Sequence, residues 1–349
     1  MPKRVAIVGY GLGGARFHAP LIAATEGLEL TAIVTSDATR AADASERYPG
    51  SEVLGSVELL AARAPELDAV VVAAPNRNHA EVARRFVKLG VPVVVDKPLA
   101  LGAEEAATLV AEARASSVPL TVFQNRRWDG DFLTVRSLVD DGRLGEIARF
   151  ESRFDKWATE PTGRIRESGD PADGGGLLLD LGSHLIDQAI SLFGPVETVL
   201  AQLDSVVGDA DDDDLLTLRH QRGVVSQLGM SVLGSMPVRR FTVTGSAGSY
   251  VKLGLDVQEE QLASGVLPGD PAWGVEEEAR WGQLWTGSPE PESVPTARGS
   301  YEEFYAGVRG MLDGAPPPVD PADAVRALAV IDAARLSSEE GRVVAPAVG

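Results

Sequence analysis

The sequence predicts an α/β protein in two parts: an N-terminal doubly wound parallel sheet, then a C-terminal α+β domain with a mostly antiparallel open sheet. Three observations carry this. Strand and helix patterns alternate through about residue 124, as in a parallel sheet covered by helices on both faces and wound right-handedly. Several strand candidates in that stretch, Val5–Val8, Asp68–Ala74 and Val93–Val95, are short, strongly apolar runs, which marks them as buried on both sides. Beyond it, several strands follow one another through short loops, which suits antiparallel or mixed pairing. A chain of 349 residues is too long for one small core, and the change of pattern divides it into 1–124 and 125–349.

The elements follow in order. Val5–Val8 is a buried strand that stops at Gly9, and a helical pattern follows with Phe17, Leu21 and Ile22 on one face. Glu29–Val34 alternates into a second strand and Ala38–Arg47 reads as a helix. Val53-Leu54 is a short strand, and Ser56 caps the helix after it. Asp68–Ala74 is a buried strand ending at Pro75-Asn76-Arg77-Asn78-His79, before a helix over Ala80–Leu89. Gly90-Val91-Pro92 turns into the strand Val93–Val95, which ends at Asp96-Lys97-Pro98; Ala103–Ala115 is a helix and Leu120–Phe123 a sixth strand. In the second part Asp131–Asp140 is a helix, Glu146–Asp155 a strand, and Gly174–Phe193 a long helix entered through three glycines. Val196–Asp204, Leu215–His220, Val224–Val232 and Val238–Thr244 are strands in series. Gly254–Thr296, rich in Pro, Gly, Glu and Trp, reads as irregular. Arg298–Leu312 is helical, Pro316-Pro317-Pro318 breaks it, and Pro321–Leu336 is a last helix, free to pack back on the first domain.

Composition narrows the function. A formal net charge of −19 repels nucleic acid and anionic membrane surface at long range. The absence of Cys excludes a disulfide framework, a thiolate metal site and a cysteine nucleophile. With four His and no tight ligand spacing, no metal is expected. No apolar run is long enough to span a bilayer and no export signal is visible, so a cytoplasmic protein is expected. Asp211–Asp214, the densest acidic run, reads as a solvated loop tip before a strand, because metal ligands must converge and not merely abound.

Chemistry concentrates at a few places. Gly9, Gly11 and Gly14 give G-x-G-x-x-G. In a chain with 37 Gly such a triplet alone says little, but this one falls directly between a buried strand and a helix. Gly9 permits the turn, Gly11 lets a pyrophosphate approach the backbone, Gly14 lets the helix pack on the strand, and the helix N-terminus offers free N–H groups to phosphate. Ligands in such sheets lie beyond the carboxyl ends of the strands, here Gly9, Thr35, Ala74-Pro75, Asp96-Lys97 and Gln124-Asn125. Lys97 reads either as a rim charge or as an ammonium that stabilises negative charge developing on a substrate oxygen. Asp180 and His184 lie i,i+4 in a helical pattern, so they share a face. His184 reads either as a core histidine or as a base oriented by the carboxylate one turn away. Asn76 and His79 suit helix capping as well as ligand contact, and Arg126, Arg127 and Trp128 suit a surface cluster as well as a pocket wall.

In combination these residues resemble the glucose-fructose oxidoreductase / inositol dehydrogenase / MocA family of NAD(P)-dependent dehydrogenases. The likeness is carried by Gly9–His18, Ala73–His79, Val95-Asp96-Lys97-Pro98, and Gly174-Gly175-Gly176 with Leu179–His184. Val122–Phe132 is most similar to the NADP-dependent scyllo-inositol dehydrogenase branch. The resemblance implies a Rossmann first domain and reversible hydride transfer from a secondary hydroxyl of a sugar or inositol-like polyol. It implies that His184 takes the hydroxyl proton, that Asp180 orients His184, and that Lys97 stabilises the oxyanion. Both catalytic groups would then serve one nicotinamide.

Placement and resemblance together assign the cofactor to Gly9, Gly11, Leu12, Gly13, Gly14, Thr35, Ser36, Arg40, Ala74, Pro75, Asn76, His79, Asp96, Lys97 and Asn125. They assign the substrate to Lys97, Asn125, Arg126, Trp128, Asp155, Trp157, Asp180 and His184. Two positions depart from the family pattern. Asp96 stands where the family usually has Glu. Thr35-Ser36, with Asp37 and Arg40 beyond, stands where NAD-specific members carry an acid, which favours NADP over NAD. Family members often pair through the second-domain sheet, so a homodimer or homotetramer is expected. The alternative function is a non-catalytic NAD(P)-binding sensor on the same fold, which would be expected to lack the lysine or the aspartate–histidine pair.

Overall fold

In the computed structural model, which describes residues 1–160 and 173–347, the chain forms two compact units. The first contains residues 1–125, 259–273 and 300–325. Its sheet is built from β1 (Lys3–Val8), β2 (Leu28–Val34), β3 (Glu52–Leu54), β4 (Ala69–Val72), β5 (Val93–Asp96) and β6 (Leu120–Phe123). The order is β3-β2-β1-β4-β5-β6 and every pairing is parallel, so the sheet is a doubly wound Rossmann sheet. Helices α1 (Ala19–Ala24), α2 (Ala38–Arg47), α3 (Val57–Ala61), α4 (His79–Lys88) and α5 (Ala103–Ala115) make the crossovers. Val70, Val71, Val72, Val93, Val94 and Val95 are fully buried, each worth about 1.5–3 kcal/mol over exposure, which fixes the middle of the sheet. Strand order reverses between β1 and β4, so the switch-point crevice opens where Gly9 and Ala73-Ala74 lie.

One local expectation fails instructively. The turns after the glycines, Gly13–His18, are wound as π-helix before α1 begins. In that wider turn His18, and not Phe17, is the fully buried side chain. Ser56 behaves as expected and accepts the Leu59 N–H at 3.4 Å.

The second unit contains residues 126–258 and 274–299 and the chain from Arg326 onward. It holds α6 (Gly130–Asp140), β7 (Ile147–Asp155), α7 (Ser183–Phe193), β8 (Val196–Asp204), β9 (Asp213–His220), β10 (Val225–Ser231), β11 (Arg239–Gly245) and β12 (Ser249–Leu253). The short strands β13 (Gly282–Trp285) and β14 (Glu292–Val294) and most of α10 (Pro321–Glu340) belong to it too, whereas nearly all of α8 (Gln258–Ser264) and the whole of α9 (Glu302–Leu312) fall in the first unit. The sheet order is β14-β13-β12-β11-β7-β10-β9-β8, and among the described residues β10–β7 is its one parallel pair. It is therefore mixed and mostly antiparallel. Alternation buries Phe150, Val199, Leu216, Leu218, Leu228 and Met230 on one face and leaves Leu200, Leu215 and Trp285 exposed on the other. Edge strand β8 is covered by the C-terminal segment: Ser337 and Ser338 accept its Ala201 and Leu203 N–H groups, and Val344 bridges to Val199.

Two expectations are corrected here. Gly254–Thr296 is not irregular throughout but supplies α8, β13 and β14, and these two strands, of four and three residues, are too short to show a period. Asp211–Asp214 is not a solvated tip: Asp212 and Asp214 are buried, and both Asp211 and Asp212 accept backbone N–H bonds. Among the described residues no helix is long and apolar enough to cross a membrane.

Candidate active site

In the first unit the glycine turn is tight for a steric reason. A Cβ on Gly14 would collide with the Gly9 carbonyl oxygen, and one on Gly9 (φ +100°) with the Ala73 carbonyl. A Cβ on Gly13 would lie 2.6 Å from Asp96 Oδ2. Gly11 faces open space, its nearest neighbour being the Arg40 guanidinium, 3.8 Å from where a Cβ would stand. The turn therefore brings Gly9, Gly11, Gly13, Gly14, Arg40, Ala74 and Asp96 together, with a backbone cradle that any side chain would fill. This fits a pyrophosphate at a helix start. Leu12 is exposed at its rim. At the end of β2, Thr35 is half-buried and Ser36 through Arg40 are exposed. The Asp37 carboxylate accepts the Arg40 N–H at 2.9 Å as the cap of α2, so it is spent on the helix and leaves the Arg40 side chain beside Gly11.

At the end of β5, Asp96 Oδ1 accepts the Lys97 N–H at 2.8 Å and Oδ2 lies 3.4 Å from His18 Nε2. His18 is fully buried, and its Nδ1 is 2.6 Å from the Tyr305 hydroxyl. Burial works to raise the Asp96 pKa, but the adjoining His18, with His79 and Lys97, outweighs it and holds the carboxyl below the ordinary range. Burial, with the Asp96 charge adding to it, pushes the Tyr305 phenol well up, so it stays a hydroxyl. The chain Tyr305–His18–Asp96 thus fixes the backbone from which half-buried Lys97 projects. His79 is buried with its ring nitrogens 2.7 Å from the carbonyl oxygens of Pro98 and Ala74. Its ring ties the tails of β4 and β5 together. Pro75 is exposed and Asn76 half-buried at the start of the following 3-10 turn. Asn125, beyond β6, is 5% exposed.

In the second unit Asp180 lies in a π-wound stretch, Leu178–Gly182, that runs into α7. Asp180 is half-buried and His184 buried, 5% exposed. Gly182 lets the helix sink onto the sheet, since a Cβ there would meet Leu178 Cδ1 and Met230 Cε at 3.2 Å. The helix is clamped to the segment after β6. Arg127 makes a two-pronged pair with Asp187 at 2.8 and 2.7 Å, and Gln188 donates to the Arg126 carbonyl at 2.8 Å. Gln188 Oε1 also accepts from fully buried Arg240 at 2.7 Å. The Arg126 guanidinium stacks on Phe154 at 4.8 Å and pairs with Asp129 at 3.5 Å. Burial raises Asp131 to about 6 despite Arg240, and raises Asp129 well above the usual range despite Arg126. Trp128 is half-buried, and its carbonyl accepts from Gln258 at 3.0 Å. At the end of β7, Asp155 accepts from Arg153 at 2.8 Å, while Trp157, 64% exposed, bridges to Leu233.

Some of these residues have no signal in the sequence. Tyr305 is 287 positions from His18, and Arg127–Asp187 and Arg240–Gln188 join distant segments. His18 stood in the opening motif, but the π-turn that buries it has no readable pattern.

Comparison with known proteins agrees with this geometry. Residues 3–124 match the model of an oxidoreductase-family NAD-binding Rossmann fold, and residues 136–345 that of the same family's C-terminal alpha/beta domain. The chain belongs to the Gfo/Idh/MocA oxidoreductase family. Within it, the chain is 39% identical over 336 residues to the uncharacterized oxidoreductase YdgJ of Escherichia coli (strain K12), covering 94% of each. It is 32% identical over 348 residues to the scyllo-inositol 2-dehydrogenase (NADP(+)) IolW of Bacillus subtilis (strain 168), covering 98% of this chain and 95% of that one. A crystal structure from Klebsiella pneumoniae superposes with a TM-score of 0.91 at 35% identity, over 99% of this chain and 96% of the other. This Gfo/Idh/MocA protein is thus an oxidoreductase with an NAD(P)-binding Rossmann domain, and inositol and sugar dehydrogenases are among its relatives.

Proposed function

We propose that the protein is an NADP-dependent dehydrogenase that oxidises a secondary hydroxyl of a sugar or cyclic polyol, and reduces the matching ketone in reverse. The observation that carries the reading is the junction of cradle and lysine. Asp96 Oδ2 fills the space that a Cβ on Gly13 would need, while its Oδ1 accepts the Lys97 N–H at 2.8 Å. A group that stabilises an oxyanion is thereby fixed beside the dinucleotide turn.

The cradle of Gly9, Gly11, Gly13 and Gly14 would hold the pyrophosphate. Thr35, Ser36 and Arg40 would meet a 2′-phosphate, because the α2 cap takes Asp37 out of competition and leaves a cation beside Gly11. When bound, the nicotinamide accepts the hydride from the carbon that carries the hydroxyl. His184 takes the hydroxyl proton, Asp180 orients the imidazole, and Lys97 offsets the negative charge that develops on oxygen. Asn125, Arg126, Trp128, Asp155 and Trp157 are candidates for positioning the polyol. The relationship to IolW supports both NADP and an inositol-like substrate. The open face of the second sheet, with Leu200, Leu215 and Trp285 exposed, is proposed as the surface of a homo-oligomer.

Initial rates with NADP and with NAD against a panel of inositols and sugars, and against the matching ketones with reduced cofactor, test the reading. Turnover with NADP preferred is the expected result; binding of NADP with no turnover in either direction would overturn it.

A further inference from the structure

The acidic run Asp211–Asp214 has no place in the chemistry above, yet it is built into the helix that carries Asp180 and His184. Its parts have separate tasks. The Asp212 carboxylate folds the loop before β9 by accepting the N–H groups of Val206, Val207 and Gly208 at 2.7–2.8 Å. Asp211 is thereby set against the start of the helix. Its carbonyl accepts the Leu177 N–H at 2.9 Å and its Oδ2 the Leu178 N–H at 2.7 Å. Gly176 (φ +91°) must be glycine, because a Cβ there would collide with the Asp211 carboxylate, and its carbonyl accepts the Asp180 N–H at 3.0 Å. Asp214 points from the covered face of β9 with no exposure, opposite Leu203 on β8 and Met230 on β10. Among the described residues, neither of its carboxyl oxygens receives a hydrogen bond from a protein donor. Its side-chain partner is the Asp211 carboxylate.

We propose, resting on the dehydrogenase reading, that Asp211 and Asp214 are positioning residues: a carboxylic acid on Asp214 donates its proton to the Asp211 carboxylate, which in turn holds the first turn of the helix bearing Asp180 and His184. Two carboxyl groups in contact, one of them sealed from water, do not both ionise. Burial first, then the charges of Asp211, Asp213 and Asp212, raise Asp214 to about 9, so it keeps its proton at neutral pH. An unfolded aspartate releases its proton near pH 4. The folded protein therefore binds one more proton between about pH 4 and pH 9, and stability from this group falls as pH rises through that window.

The test uses Asp214→Asn, whose amide replaces the O–H donor, and Asp214→Val, which has none. Asp214→Asn keeps kcat within about twofold of the wild type, and its thermal-midpoint advantage over the wild type widens from pH 5 to pH 9 and then levels. Asp214→Val lowers kcat at least tenfold while the NADP dissociation constant stays unchanged. Parallel pH profiles of the midpoint for wild type and Asp214→Asn would overturn the shared proton, and a wild-type kcat in a folded Asp214→Val would overturn the positioning role. If the wild type turns over no polyol, the dehydrogenase reading fails separately, and the pH profiles still decide the shared proton.

Discussion

At Asp96 one carboxylate lies beside His18, accepts the Lys97 N–H and occupies the space a side chain on Gly13 would need. The sequence shows this residue only as a shortened version of the family's acid. The partners that explain it, His18 and Tyr305, come from a π-turn and from a segment 287 positions away, so no local pattern announces them. Because its folded pKa is lowered, Asp96 contributes stability at neutral pH that disappears as pH falls through that lowered value. The thermal midpoint of the wild type accordingly exceeds that of Asp96→Asn at pH 7, and the gap closes as the pH is lowered into the acid range below the ordinary carboxylate pKa. Arg40 makes the second residue-scale case. It lies beside Gly11 with its neighbour Asp37 spent on capping. Arg40→Ala is expected to raise KM for NADP by roughly tenfold, the worth of one charge-assisted bond, and to leave KM for NAD nearly unchanged.

At the scale of elements, the glycine turn and the central parallel strands β1, β4 and β5 were legible because burial on both faces writes them as short apolar runs, while β2 was read from its alternation. The second sheet was legible only where strands alternate over seven or more residues; β13 and β14 are shorter than that, and Trp and Pro around them mask the period. Close approach was legible too, since a Cβ on Gly14 would collide with Gly9. Gly14→Ala is expected to abolish NADP binding in a fluorescence titration. The clamps on α7 were not legible, because Arg127 and Asp187 lie 60 positions apart. Asp187 is almost sealed from water, so Asp187→Ala leaves a partly buried guanidinium short of its carboxylate and costs about 3–5 kcal/mol in chemical denaturation. Asp187→Asn, which keeps one acceptor, costs less.

For the whole molecule, a net charge of −19 sets the background against which an anionic cofactor must be held by local donors. The same charge makes the apolar side chains on the open face of the second sheet notable. Leu200, Leu215 and Trp285 stand exposed on β8, β9 and β13, on the face proposed above as an oligomer surface. Replacing Leu215 and Trp285 together by Arg is expected to lower the molecular mass in solution, measured by light scattering, without changing the far-ultraviolet circular dichroism. The two-part organisation was readable from the change in strand pattern. The return of residues 259–273 and 300–325 to the first unit was not, because nothing local tells a helix which core it joins.

The claim on which the account depends is that Lys97 and His184 are the catalytic pair of a polyol dehydrogenase. Steady-state turnover of inositols with NADP, measured for the wild type, Lys97→Ala and His184→Ala alongside the NADP dissociation constant of each, tests it most directly. The account predicts wild-type turnover, a loss on the order of 10²–10⁴-fold in each variant, and cofactor binding retained in all three. Turnover undiminished in His184→Ala, or none in a wild type that binds NADP, would contradict it.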